Sequence, residues 1–188
     1  MRRHDDTPRL AAPVREDRDH ILGELEAPVS LLEYGDFECS FCARAHLAVQ
    51  EVLGQLGDDV CFIYRHFPVA TMHPRATSAA LASECAAQQG AFWPMHDLLF
   101  ARQDALEDED LIRYAVELNL DAGRFQRELA EGTYEDRVRE DFMSGVRSGV
   151  NGTPSIFIDG RRHDEGWDAP TLIRTLRAHI ARRRKRSA

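Results

Sequence analysis

The sequence has few cysteines, almost no lysine and no long apolar run. Its 188 residues include four cysteines, and Lys185 is the single lysine among 24 basic residues. No stretch approaches the length of about 18 apolar residues that a membrane-spanning helix requires, and the acid-rich first residues lack the apolar segment of a signal peptide. These absences predict a cytoplasmic, unexported protein without a membrane span.

The charge balance argues against a nucleic-acid partner. The formal net charge is -8 at pH 7, and the basic residues are scattered along the chain except for the run Arg182–Arg186. A surface that binds a polyanion would need clustered basic residues. The basic run has two interpretations, a solvated helix end or a targeting or membrane-surface tag.

Length and composition suit a single domain with its own core. The chain is 43% apolar, which is enough to bury a core at this length. Structural disulfides are not expected in a cytosolic chain, because that compartment keeps thiols reduced. A close cysteine pair is then catalytic, redox-sensing or metal-binding.

The hydrophobic pattern predicts a β-α-β unit that begins near residue 28. The run "PVSLLEY" lacks polar alternation, as expected of a strand buried on both faces, and "VCFIYRHF" is a second such run. Between them, apolar residues from Cys39 to about Leu56 recur at helical spacing. We therefore expect a parallel strand pair with a right-handed crossover.

The rest of the chain predicts a helical segment followed by a return to the sheet. Residues 75–149 show only helical periodicity, with Asp121 and Thr133 as N-cap candidates and Asp136 as capping-box partner of Thr133. The run "PSIFIDG" restores strand character, and its Asp-Gly pair predicts a hairpin before a last amphipathic helix. The predicted units are an arm over residues 1–27, a core over 28–72 and 150–181, an inserted helical subdomain over 73–149 and a basic tail over 182–188.

The stretch "DFECSFC" places Cys39 at the start of the predicted helix and Cys42 one turn further on. At that spacing the two sulfurs are close enough to bridge. Unpaired backbone N–H groups and the positive end of the helix dipole favour thiolate over thiol there. A thiolate at Cys39 can attack a disulfide, and Cys42 can then resolve the mixed disulfide. The pair is therefore predicted to exchange disulfides.

A zinc site is the main chemical alternative for this pair. The run "CSFCARAH" places His46 four residues after Cys42, but a structural zinc site takes four ligands and no second Cys-x-x-Cys or His-x-x-x-His pair follows. Cys61 and Cys85 lie among apolar neighbours and are interpreted as small buried side chains. We therefore predict no metal and no other cofactor.

With these elements in order, the chain resembles the DsbA-like branch of the thioredoxin superfamily from about Asp19 to His179. The resemblance is carried by "EYGDFECSFC", "YRHFPVATMHPRA", "ECAAQQGAFWPMHDLLF" and "VNGTPSIFIDG", which follow the family's order. It implies an α/β protein with a thioredoxin-like core and an inserted helical subdomain. It also implies a thiol-disulfide oxidoreductase.

The resemblance further implies roles for particular residues. Cys39 matches the family's nucleophile and Cys42 its resolving cysteine. Glu33 falls where family members keep a buried acid that helps to move protons.

Four more residues are expected to contact substrate. Thr153 and Pro154 match a loop in which the family has a cis-proline that faces the active-site sulfur. Ser40 and Phe41 form the dipeptide between the cysteines, and they depart from the best-known members in having neither His nor Pro. Strong oxidising power is therefore not expected.

Two acids beside the pair point in the same direction. Asp36 and Glu38 are expected to raise the pKa of Cys39, because adjacent negative charge works against the helix dipole. Three histidines of the family-like motifs, His66, His73 and His96, are interpreted as packing or capping residues rather than catalytic ones.

These observations predict a cytoplasmic thiol-disulfide oxidoreductase acting on a protein or small-molecule disulfide, with an unidentified electron donor or acceptor. A glutathione-dependent isomerase or transferase on the same fold is the alternative, although those enzymes tend to use a lone serine or cysteine. A binding module without redox activity is the third possibility.

Overall fold

The structure is a computed structural model that describes residues 7–187, within which a five-stranded sheet is flanked by helices. The strands are β1 (His20–Leu22), β2 (Val29–Gly35), β3 (Val60–His66), β4 (Ser155–Ile158) and β5 (Arg161–His163). The helices are α1 (Ser40–Leu56), α2 (Ala76–Ala87), α3 (Phe92–Ala101), α4 (Asp108–Glu117), α5 (Ala122–Ala130), α6 (Glu135–Arg147) and α7 (Ala169–Ser187).

The predicted β-α-β unit is confirmed. Strands β2 and β3 pair in parallel and helix α1 connects them, while β4 lies antiparallel to β2 on its other side. The sheet order is β1-β3-β2-β4-β5, so β2 is the central strand. The predicted hairpin is also present, since β4 pairs with β5 through Asp159 and Gly160, which both have positive φ.

Helices α2 to α6 occupy the chain between β3 and β4, where the sequence predicted only helices. Asp121 caps α5 as expected, because its side chain accepts a hydrogen bond from the Arg124 N–H. The N-cap predicted at Thr133 is wrong: α6 follows Tyr134, which makes no side-chain cap bond. A backbone turn, closed by a hydrogen bond from the Glu135 N–H to the Gly132 carbonyl, joins α5 to α6. Thr133 lies inside this turn, so its hydroxyl is not in a capping position.

The predicted arm over residues 1–27 is wrong as a description of residues 20–22, which form β1 on the edge of the sheet. The fully buried Arg65 also holds this region, donating to both carboxylate oxygens of Asp19 and to the carbonyls of Ala12 and Pro13. A three-residue strand carries too little periodicity to be recognised from sequence. Residues 1–6 of the arm lie outside the described residues.

Helix α7 continues through the basic run and ends at Ser187, and residue 188 of the predicted tail lies outside the described part of the chain. None of the helices over residues 7–187 combines the length and apolar character needed to cross a bilayer. The exact limits of the predicted core, subdomain and tail stay predictions.

The two faces of the sheet carry separate apolar clusters. Because side chains alternate along a strand, Leu31 and Glu33 of β2 share one face, while Leu32 and Tyr34 lie on the other. The cluster on the first face contains Leu31 together with both Cys39 and Cys42. Glu33 is therefore directed into the apolar layer that lies beneath the cysteine pair.

Candidate active site

The cysteine pair lies where the central strand leads into helix α1. Cys39 has an extended backbone and is the N-cap residue of α1, and Cys42 lies in its first turn. Cys42 is fully buried, whereas Cys39 keeps 5% of its surface exposed. Both are free thiols in this structure. Cys39 is thus the less deeply buried residue of the pair.

The surroundings of Cys39 favour its thiolate. Its pKa is lowered to about 5, chiefly by a hydrogen bond from the Cys42 thiol, with further help from the Thr153 side chain and the backbone N–H groups of Phe41 and Cys42. Burial acts in the opposite direction but is outweighed. The helix start contributes through its orphan N–H groups, as the sequence predicted.

Cys42 behaves in the opposite way. Burial raises its pKa well above the ordinary value, and the hydrogen bond and charge of Cys39 together with the charge of Glu33 raise it further. Two thiols one helical turn apart therefore have opposite preferences, one ionised and one protonated. This asymmetry distinguishes an attacking sulfur from a resolving one.

Glu33 lies beneath the pair in a fully apolar setting. Its side chain is buried, and its Oε1 atom has no hydrogen-bond partner among the described residues. Burial raises the pKa of Glu33 to about 8, with a second contribution from the charge of Cys39. A carboxyl group with this pKa can bind or release a proton near neutral pH.

The loop before β4 reaches the same sulfur. The Cys39 thiol donates a hydrogen bond to the Thr153 carbonyl oxygen, with the sulfur and oxygen 3.6 Å apart, whereas the thiolate is stabilised by the Thr153 side chain. The Thr153-Pro154 peptide bond is cis. Residues from distant parts of the sequence therefore meet at Cys39.

The pKa of Cys39 is lowered overall, although Asp36 and Glu38 are expected from the sequence to raise it. The buried Asp36 carboxylate accepts hydrogen bonds from the Glu38 and Val69 N–H groups, and it also bonds the His73 ring at 2.8 Å. Glu38 accepts from the Arg75 N–H. Both acids are therefore engaged by the loop after β3.

An exposed apolar surface borders the pair. Phe41 is 52% exposed, and its ring meets the Trp167 ring edge-on at a centroid distance of 6.4 Å. The Arg44 guanidinium lies 4.6 Å from the Phe41 ring centroid and 5.5 Å from that of Trp167. Trp167 also lines a shallow cleft that includes Pro154. Ser40, the other expected contact residue, is exposed at the first position of α1.

Sequence reasoning missed three contributors to this site. Gln103 donates from its side-chain amide to the carbonyls of Phe37 and Cys39 at 2.6 and 3.0 Å, fixing the loop that carries Cys39. Arg44 adds a cation to the apolar surface. Trp167 forms the part of that surface that packs against Phe41. Nothing in the local sequence around Gln103 marks it, because it meets Cys39 only through the fold.

Among the described residues, four histidines belong to two clusters that could hold a metal ion. One consists of His20, His66 and Glu84, whose Oε1 atom lies within 2.8 Å of both imidazoles. The other consists of His46, His96 and Asp97.

Each cluster also has an explanation without metal. Arg137 lies 3.9 Å from Glu84, where its positive charge opposes a bound cation. His46 bonds the Gln50 side chain at 3.0 Å. His46 is grouped with His96 and Asp97 of α3. The zinc alternative requires His46 to lie with the cysteines instead.

A family model described as Thioredoxin matches residues 15–178 of this chain. Curated relatives include the Na(+)/H(+) antiporter NhaA 1 of Mycolicibacterium vanbaalenii, 46% identical over 172 residues, covering 90% of this chain and 28% of that protein. The Na(+)/H(+) antiporter NhaA 3 of Salinispora tropica is 45% identical over 177 residues, covering 94% of this chain and 27% of that protein. The chain thus spans little more than a quarter of these relatives.

Solved structures show the same fold. BdbD from Bacillus subtilis superposes with a TM-score of 0.78 at 20% identity, covering 93% of this chain and 96% of that one. The alpha-DsbA1 protein of Wolbachia pipientis superposes with a TM-score of 0.79 at 20% identity, covering 95% of this chain and 98% of that one. A thioredoxin-like oxidoreductase from Silicibacter pomeroyi superposes with a TM-score of 0.75 at 25% identity, covering 89% of this chain and 93% of that one. The predicted fold, a thioredoxin-like core of DsbA type with a helical insertion, is confirmed.

Proposed function

This chain belongs to the thioredoxin family, and we propose that it is a thiol-disulfide oxidoreductase in which Cys39 attacks and Cys42 resolves. The observation that carries the proposal is the opposed ionisation of the two cysteines. Cys39 has a pKa lowered to about 5, whereas the pKa of the buried Cys42 is raised. At neutral pH this favours a thiolate at Cys39 and a protonated thiol at the more deeply buried Cys42, the arrangement that ordered disulfide exchange needs.

The first step forms a mixed disulfide. The Cys39 thiolate attacks one sulfur of a substrate disulfide, a new S–S bond forms, and the other substrate sulfur leaves as a thiolate. In the second step Cys42 loses its proton and attacks the Cys39 sulfur, which releases the remaining substrate sulfur. The substrate gains two electrons and the protein becomes the Cys39–Cys42 disulfide. The same steps in reverse transfer a disulfide to a dithiol substrate.

Glu33 is suited to accept the proton of Cys42 in the second step. The Cys39 charge contributes to the raised pKa values of both Glu33 and Cys42. Formation of the mixed disulfide removes that charge, so both groups release a proton more readily at the moment when Cys42 must ionise. Once Glu33 has released its own proton to solvent, its carboxylate takes up the proton of the Cys42 thiol.

Substrate is proposed to bind across the apolar surface of Phe41 and Trp167 and along the Thr153-Pro154 loop. The cleft beside Pro154 is open and shallow, which suits an extended protein segment or a small-molecule disulfide. The electron donor or acceptor, and a cytoplasmic location, stay predictions.

Trapping of the mixed disulfide tests the proposal. The Cys39→Ser variant should lose insulin reduction and reaction with aromatic disulfides, because the attacking thiolate is gone. The Cys42→Ser variant should accumulate a covalent adduct with its substrate that mass spectrometry detects at Cys39. Cys61→Ala, which removes a buried thiol elsewhere in the sheet, is the control and should behave as wild type.

The contrary outcomes separate the alternatives. Equal activity of all three variants would refute the assignment of Cys39 and Cys42. Activity that requires glutathione and survives in Cys42→Ser would favour the isomerase or transferase. A wild-type pair that reacts with no disulfide would favour a binding module.

A further inference from the structure

The dipeptide between the cysteines supplies no positive charge, since it is Ser40-Phe41. We propose that His73, from the loop after β3, supplies that charge and stabilises the Cys39 thiolate from outside the Cys-x-x-Cys motif. The inference rests on the proposed function for its biological meaning, because a stabilised thiolate matters for disulfide exchange. This role adds to the packing or capping role that the sequence suggests for His73.

Asp36 links His73 to the nucleophile. The buried Asp36 carboxylate bonds the Nδ1 atom of His73 at 2.8 Å, and the Asp36 carbonyl accepts the N–H of Cys39 at 3.2 Å. A single residue thus fixes the imidazole on one side and the backbone of the nucleophile on the other. The position of His73 relative to Cys39 is therefore set by two hydrogen bonds that both end on Asp36.

Further hydrogen bonds join the loop that carries His73 to the loop that carries Cys39. The Val69 N–H donates to Asp36 at 2.8 Å, and the Arg75 N–H donates to Glu38 at 2.6 Å. Backbone bonds from Met72 and His73 to the Val69 carbonyl close a turn between these two anchors. Both ends of the segment are thus held against the active-site loop.

The charges around His73 favour its protonated form. Partial burial lowers the pKa of His73, but the hydrogen bond and charge of Asp36 outweigh it, and the charges of Cys39 and Glu38 add to the rise. The Arg75 guanidinium is paired with Glu107 at 2.6 Å. The imidazolium is therefore stabilised on Asp36, where it interacts electrostatically with Cys39.

The buried groups beside Cys39, Glu33 and Cys42, bring no cation, and the Arg44 guanidinium at the border of the pair lies over the Phe41 and Trp167 rings. Glu33 from β2 is neutral when protonated, and burial raises its pKa to about 8. Cys42 from α1 stays a thiol because burial raises its pKa as well. A charge-charge attraction with His73 thus adds to the hydrogen bonds that already lower the pKa of Cys39.

The attraction has a consequence for redox behaviour. A group that stabilises the thiolate stabilises the reduced form of the pair and makes its disulfide more oxidising. His73 therefore compensates in part for the missing histidine between the cysteines.

The test is the pH dependence of Cys39 alkylation by iodoacetamide, followed by peptide mass spectrometry. In His73→Gln the side-chain amide can still donate to Asp36 but carries no charge. We expect the alkylation midpoint to rise by about half a pH unit, a threefold loss of thiolate below the midpoint. The reduction potential should fall by about 14 mV, which is that threefold change converted for a two-electron couple.

Two variants act as controls. His179→Gln is matched, because His179 bonds Asp159 through Nδ1 at 2.9 Å and is similarly exposed, but it lies on α7. It should leave the midpoint unchanged. His73→Lys keeps a positive charge and should restore at least half of the shift. An unchanged midpoint in His73→Gln, or an equal rise in His73→Lys, would overturn the proposal.

A measurement on the wild-type chain avoids any folding defect in the variants. Because coupling between two titrating groups is reciprocal, the His73 imidazole should titrate about half a pH unit higher in the reduced protein than in the disulfide form, as followed by NMR. Equal titration in both forms would contradict the inference. Neither the alkylation midpoint nor the NMR titration depends on catalysis. The insulin assay can therefore refute the proposed function while this inference holds, and these two measurements can refute the inference while the proposed function holds.

Discussion

Replacement of Glu33 by glutamine should make the protein more stable, and by an amount that grows with pH. Folding raises the pKa of this carboxyl group from 4.5 to about 8, chiefly through burial. Between these values the folded protein keeps a proton that the unfolded chain releases. Wild-type stability therefore falls as pH rises from 4.5 to 8, and the Glu33→Gln variant lacks this loss.

The magnitude follows from the two pKa values. The carboxyl group lowers the free energy of unfolding by about 1 kcal/mol at pH 5 and by about 3 kcal/mol at pH 7. The difference in the free energy of unfolding between Glu33→Gln and wild type should therefore grow by roughly 2.5 kcal/mol from pH 5 to pH 7. With a urea dependence of about 2 kcal/mol per molar, the midpoint difference should grow by more than about 1 M.

Urea unfolding of the reduced proteins at pH 5, 6, 7 and 8 provides the assay. Glu131→Gln serves as control, because Glu131 is exposed and its carboxylate is hydrated in both states. Its midpoint difference from wild type should stay constant with pH. A constant difference for Glu33→Gln as well would mean that Glu33 is not buried as a protonated acid, and its proposed role as proton acceptor would lose its basis.

Two further predictions concern the packing around the site. Gly35→Ala should lower the free energy of unfolding by about 1–3 kcal/mol, because the added Cβ would lie 2.5 Å from a ring carbon of Tyr64. An unchanged thermal midpoint would show that the ring moves aside freely. Burial lowers the pKa of His96 from 6.5 to about 4, so the unfolded chain takes up a proton first and stability falls as pH drops from 6.5 toward 4. His96→Asn should escape a loss of about 2.5 kcal/mol between pH 7 and pH 4.5, and parallel urea midpoints in the two proteins would contradict this.

The local elements followed from the sequence because their signals are local. The apolar run that ends at Gly35, the helical spacing after Cys39 and the Asp159-Gly160 turn each depend on a few neighbouring residues. Periodicity and turn chemistry therefore predicted the β-α-β unit, the helix start beneath the cysteines and the hairpin. The likeness of ordered motifs supplied the family and directed attention to Glu33.

Features made by distant residues could not be predicted in this way. Strand β1 exists only because residues 20–22 pair with β3, and its three residues carry no period of their own. Gln103 supports the loop that carries Cys39 from a position 64 residues further along the chain. His73 meets Asp36 across 37 residues. Such contacts depend on how the tertiary fold brings segments that are distant in the sequence together.

The sequence by itself determined where the two cysteines lie, at the start of a helix that follows a buried strand, because backbone geometry there depends on nearby residues. Only the tertiary structure decided how each of them ionises. The pKa of Cys39 is lowered by donors gathered from α1 and the Thr153 loop, while burial raises that of Cys42. Asp36 and Glu38, whose charges in the sequence suggested the opposite, are engaged by partners from the loop after β3. Charge and burial act through space, so the direction of a pKa shift is fixed only when the whole surroundings are in place.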